Sequence, residues 1–142
     1  MSTTMAWNEK LSLGVKGIDR QHQELLRRAN ALFEAIGSDA ARSQVDEMVG
    51  FFGKYVRTHF ACEEKLMRRA HYPDLPDHLA AHREVMRELE AVERLYDQQG
   101  LSGPLVQRMT GLVFAWMTEH FTGPDKALAG WLASEHRRRA AA

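Results

Sequence analysis

Apolar residues recur along this chain at steps of three and four, the spacing of one face of an α-helix. One stripe runs Ile18, His22, Leu25, Leu26, Ala29, Leu32, Phe33, Ile36. A second runs Val45, Met48, Val49, Phe52, Val56, His59, Glu63, Leu66, and a third Leu75, His78, Leu79, His82, Val85, Met86, Leu89, Val92. A fourth runs Leu105, Val106, Met109, Leu112, Val113, Trp116, Met117, His120. No segment alternates cleanly enough to be a strand. Breakers separate the stripes at Gly37-Ser38-Asp39, at Tyr72-Pro73-Asp74, and at Gly100 through Pro104. Asp74 is the expected N-cap of the third helix, and Pro76 fits its first turn. Connections this short make neighbouring helices antiparallel, so the expected fold is all-α, an up-down-up-down four-helix bundle. Residues 1–17 hold glycines and no sustained period and read as an arm laid on the bundle. The bundle occupies about 18–125, and the tail 126–142 adds a short helix over 126–137.

Composition narrows what such a bundle can do. A chain of 142 residues suits one domain. Lys and Arg number 19, as do Asp and Glu. The net charge is zero, so no long-range field draws the chain to nucleic acid or anionic lipid. The run Arg137-Arg138-Arg139 reads as a solvated end. A single cysteine, Cys62, forms no intrachain disulfide and fits a reducing compartment. The N-terminus lacks the basic start and apolar run of a signal peptide, and no apolar stretch is long enough to span a bilayer. The expectation is a soluble, cytoplasmic protein with neither a nucleic-acid partner nor membrane insertion.

Five histidines and one glutamate interrupt the apolar stripes: His22, His59, Glu63, His78, His82 and His120. A buried imidazole or carboxylate costs several kcal/mol unless a partner satisfies it. One core histidine is ordinarily explained by a backbone carbonyl. Six such groups on four helices outrun the acceptors a bundle core offers, and a metal satisfies them together. His59 and Glu63 are four apart, as are His78 and His82, so each pair occupies one helical face. Imidazole and carboxylate without thiolate suit iron, zinc, copper or manganese, and one tetrahedral zinc needs only about four ligands. Asp125 lies five residues after His120, slightly too far for one face of a regular helix. Gly123 and Pro124 are expected to loosen that turn and bring Asp125 inward. Five imidazoles and two carboxylates are the inventory of a dinuclear site.

These residues resemble the hemerythrin family in its single-domain bacterial form. The family pattern is a lone His on the first helix, then H-x-x-x-E, H-x-x-x-H and H-x-x-x-x-D. This chain shows Ile18-Asp19-Arg20-Gln21-His22, His59 through Glu63-Glu64, Met67 and Tyr72-Pro73 leading to His78 and His82, and Trp116 one turn before His120 and Asp125. The likeness runs from about Trp7 to Asp125. It implies two iron ions, Fe2+/Fe3+, bridged by an oxo or hydroxo group. His78, His82 and His120 would hold one, His22 and His59 the other, with Glu63 and Asp125 bridging. Counting donors against two six-coordinate ions then leaves one position open, on the iron with two histidines, for dioxygen.

The resemblance implies reversible dioxygen binding, for carriage, storage or delivery, and not an enzyme. Leu25, Phe60, Trp116 and Phe121 are the expected walls of the oxygen pocket. Pro124 immediately before Asp125 departs from the pattern and bears on how that carboxylate bridges. Phe121 and Leu128 stand where relatives often carry Ile and Tyr. His71 and His136 are expected to be solvated, Glu64 a surface charge, and Cys62 a small packing residue turned away from Glu63. A ferritin-like oxidase or peroxidase rests on E-x-x-H pairs, and no histidine here has Glu three residues before it. Oxygen or redox sensing is the other alternative and needs a separate partner, whether a sensor protein or an oxygen-consuming enzyme.

Overall fold

A computed structural model describes residues 6–7, 9–38 and 42–141. Asp39, expected in the first connection, and the side chain of Met117 lie outside what is described. The fold is of the expected all-α, four-helix-bundle class, with no strand among the described residues. A short 3-10 turn, Glu9–Leu11, precedes α1 (Lys16–Gly37) and α2 (Arg42–Arg69). Then come α3 (Leu75–Gln99), α4 (Gly103–Ala115), a π-helical segment Trp116–Asp125, and α5 (Lys126–Ala141). No helix among the described residues is long and apolar enough to cross a membrane. The chain forms two compact units, Met1–Leu66 and Met67–Ala142.

In the first unit, α1 begins at Lys16, two residues inside the expected arm. It buries Ile18, His22, Leu25, Leu26, Ala29 and Leu32, the core of the predicted stripe. Its start is held by Asp19, whose carboxylate accepts from the Ser12 hydroxyl at 2.6 Å and the Leu13 backbone N–H at 2.7 Å. That clamp ties the arm back to the first turn, where a negative charge also suits the helix N-terminus. On α2, Val45, Phe52, Val56, His59, Phe60 and Glu63 are buried.

The second unit opens with the end of α2. The Tyr72 N–H donates to the Met67 carbonyl at 3.0 Å and the His71 N–H to the Arg68 carbonyl at 3.2 Å. This is a Schellman cap, with His71 as its left-handed residue at φ 54°. The cap turns Tyr72 back onto Met67, and both pack with Leu128 and the half-buried Leu75, Trp131 and Leu132. Exposed His71 is therefore solvated as expected, and it also terminates the helix. Asp74 occupies the N-cap position of α3, yet its side chain caps nothing; its carbonyl accepts from the His78 N–H at 3.1 Å instead. Gly100 ends α3 at φ 68°, a conformation that glycine adopts without steric cost. Ser102 caps α4, accepting from the Leu105 N–H at 3.2 Å, ahead of Pro104 in the first turn. The terminal helix α5 exists and runs to Ala141, four residues past the expected end.

The left-handed conformation costs an L-residue about 1–2 kcal/mol, part of which glycine forfeits through its greater freedom when unfolded. His71→Gly should therefore raise unfolding free energy by up to about 1 kcal/mol in urea denaturation. A loss of stability would show that the His71 ring contributes more than its backbone costs.

Candidate metal centre

Seven described polar or charged side chains are buried: His22, His59, Glu63, His78, His82, His120 and Asp125. Six are the residues the stripes singled out, the seventh is the Asp125 expected from its spacing to His120, and none is a Lys or Arg. Their exposures run from 0% to 4%, so water does not solvate them.

In the first unit, α1 contributes His22 and α2 contributes His59 and Glu63. The two Nε2 atoms face each other at 3.1 Å, and the rings meet edge to face with centroids 4.7 Å apart. One turn along α2, the Glu63 carboxylate stands 3.4 Å from His59 Nε2. The three ligand atoms lie within 4.8 Å of one another. On its other side, the His59 ring meets a residue absent from the expected set. Gln21 Oε1 accepts from His59 Nδ1 at 2.7 Å.

In the second unit, His78 and His82 stand one turn apart on α3, with centroids 4.7 Å apart. His120 comes from the π segment, its ring 5.2 Å from that of His78 and 5.0 Å from that of His82. One oxygen of Asp125 lies 3.0 Å from His78 Nε2 and 3.1 Å from His120 Nε2. The ligand atoms of these four residues also fall within 4.8 Å of one another.

The turn that brings Asp125 inward is widened as the sequence predicts, but over a longer stretch than Gly123 and Pro124: the backbone is π-helical from Trp116 to Asp125. Bonding from i to i+5 brings residues five apart onto one face, which is the spacing of His120 and Asp125. The same register places Trp116 against Phe121, ring centroids 5.5 Å apart. Pro124 gives the wide turn a cause, because in a regular α-helix its ring would clash with the carbonyl of His120, four residues back. The Thr118 hydroxyl donates to the Phe114 carbonyl at 2.9 Å, and that of Thr122 to the Thr118 carbonyl, so side chains bond carbonyls where the helix widens.

The donor chemistry fits a hard-to-borderline cation. Each cluster combines imidazole nitrogen with one carboxylate and no thiolate. Adjacent donors at right angles around an ion with bonds of about 2.1 Å lie about 3 Å apart. The contacts at 3.0–3.1 Å have that spacing. Cys62 takes no part. It is exposed on α2, not packed as expected, because its place beside Glu63 turns it to the helix's outer face. Glu64 is half-buried instead of a free surface charge, while His136 is exposed as expected.

The expected pocket walls are all buried: Leu25 and Phe60 in the first unit, Trp116 and Phe121 in the second. Phe60 lies 5.8 Å from the His59 ring. A groove of about 420 Å3 in the second unit is lined by Val85, Leu112, Ala115, Trp116, His120 and Pro124, among others. Tyr72 meets the His78 ring at 6.4 Å and Trp131 at 5.4 Å. Burial holds its phenol above the ordinary range, and the carboxylates of Asp74 and Asp125 push it further the same way.

Comparison with known proteins agrees with this arrangement. A family model described as Hemerythrin HHE cation binding domain matches residues 13–132. A bacteriohemerythrin of Stenotrophomonas maltophilia is 32% identical over 88% of this chain and 79% of its own length. One from Clostridium acetobutylicum is 25% identical, covering 84% of this chain and 95% of the relative. A myohemerythrin of Riftia pachyptila is 24% identical over 84% of this chain and 86% of its own. With a family model covering most of its length and its seven buried donors in the order that pattern requires, the chain belongs to the hemerythrin family.

Proposed function

We propose that this chain binds dioxygen reversibly at a pair of non-haem iron ions. The carrying observation is that the buried polar side chains among the described residues are five histidines and two carboxylates, and none is a Lys or Arg. In this reading His78, His82 and His120 would hold one iron and His22 and His59 the other, with Glu63 and Asp125 as the shared carboxylates. The iron pair supplies the electrons and the open coordination position that oxygen binding needs.

The remaining chemistry belongs to the chain. Neutral imidazoles present lone pairs while the two carboxylates offset cationic charge in a dry interior. Leu25, Phe60, Trp116 and Phe121 keep water, and the protons it carries, from the open position. Every buried titratable group in the set above is committed to ligation, which leaves none of them poised to work on a further substrate. That supports a binding protein over an oxidase.

The purified protein should contain about two irons per chain, since five imidazoles and two carboxylates suit a pair. Admitting air to the reduced form should produce a visible absorption band that disappears again when oxygen is withdrawn. One firmly held zinc per chain with no uptake of iron would overturn this reading. His78→Ala and His120→Ala should lose iron, whereas His71→Ala and His136→Ala should retain it; equal loss from His71→Ala would remove the assignment of α3. Trp116→Phe should keep its iron yet lose the oxygenated band faster in air than the wild type does. Equal decay would leave Trp116 as core packing alone.

A further inference from the structure

We infer that Gln21 is a positioning residue that fixes the tautomer of His59 and so aims its Nε2 lone pair at the metal. The inference builds on the di-iron reading and assigns a role to a residue outside the ligand set. Its foundation is the 2.7 Å contact between Gln21 Oε1 and His59 Nδ1.

A carboxamide oxygen has no hydrogen to give. The ring nitrogen facing it must therefore be the donor, which puts the hydrogen of neutral His59 on Nδ1. A neutral imidazole carries only one N–H, so Nε2 is left with its lone pair. That atom faces His22 Nε2 at 3.1 Å and Glu63 at 3.4 Å, the side on which a cation fits. The opposite tautomer would place a hydrogen where the metal must bind.

The helix explains how one segment does both. Gln21 and His22 are consecutive on α1 and point about 100° apart. His22 therefore faces the buried side and meets the His59 ring at Nε2. Half-buried Gln21 reaches around the edge of the ring to Nδ1. His59 is gripped at both nitrogens by adjacent residues of one turn, so ring orientation and tautomer are set together. Hydrogen bonds from ligand histidines to such outer partners commonly alter metal affinity by about 10–100-fold.

Three variants of the full chain test this: Gln21→Leu removes the acceptor, Gln21→Glu keeps one, and Gln23→Leu changes an exposed neighbour of the same type. The first measurement is the nitrogen-15 spectrum of the imidazoles in the metal-free chain. It should show His59 as the Nδ1–H tautomer in wild type, shifted towards Nε2–H in Gln21→Leu and restored in Gln21→Glu. The second is iron affinity by competition with a chelator. It should fall about 10–100-fold in Gln21→Leu and stay near wild type in Gln21→Glu and Gln23→Leu. An Nε2–H tautomer in the wild type overturns the inference, as does unchanged affinity in Gln21→Leu. A wild-type chain that took up no iron would sink the di-iron reading instead, and the tautomer spectrum alone would then decide the role of Gln21.

Discussion

Seven ionisable side chains, none of them Lys or Arg, are buried among the described residues, and the rest of the structure answers to that constraint. Folding must desolvate five imidazoles and two carboxylates, each at a cost of several kcal/mol unless it is satisfied. A structural core would place leucine or alanine at positions this protected, with exposures of 0% to 4%. The apolar stripes around them supply the burial that offsets this cost. Ile18, Leu25, Leu26, Ala29 and Leu32 flank His22, and Val56 and Phe60 flank His59. The same apolar neighbours lower the local dielectric, which strengthens any cation–carboxylate attraction inside. Burial thus makes the empty site costly and the filled one tight for the same physical reason.

Helical geometry decides which donors can converge. Along α2 and α3 an ordinary α-helix suffices, because His59 with Glu63 and His78 with His82 are four apart. The fourth stripe must bring His120 and Asp125 to one face across five residues, and only an i to i+5 register does so without breaking the helix. Wide helices are poorly packed and rarely persist unless something holds them. Here Pro124 disfavours the narrower turn, two threonine hydroxyls bond carbonyls in the segment, and Trp116 packs on Phe121 in the same register. The residue that departs from the family pattern therefore helps to shape the turn that positions Asp125.

The legible part of the fold was whatever periodicity encodes. The four stripes named the buried faces and, with them, six of the seven candidate donors, because a polar residue on an apolar stripe is visible without knowing what it touches; Asp125 followed from its spacing to His120. Contacts across elements were not visible. Nothing in the sequence says that Gln21 meets His59, since the two are far apart in the chain and adjacent only once α1 and α2 have packed. Tyr72 returned onto Met67 only because His71 adopts a left-handed cap, a backbone choice that a histidine advertises weakly. Cys62 turns away from Glu63, as its phase on α2 predicts, and that outward face leaves it exposed where the average for a free cysteine favours burial. The π turn was half legible: the five-residue spacing demanded a remedy and Gly123 and Pro124 marked its place, but not its length back to Trp116.

The histidine pair at 3.1 Å shows where preorganisation ends. Two Nε2 atoms at that distance either share one hydrogen or share a cation. His59 commits its hydrogen to Gln21, so in the first case His22 must supply the one between them. In the second case neither ring can carry a hydrogen at Nε2, and that of His22 must move to Nδ1 or leave. Metal entry then changes the protonation pattern of His22 and leaves that of His59 alone. The energetic asymmetry follows from the chain itself: α2 presents a ligand already in its binding form, and α1 presents one that must exchange a proton first. Tautomer exchange of an imidazole passes through solvent or a neighbouring acid–base group, and His22 is buried at 0% exposure. The step that water most readily assists is thus placed where water is least available.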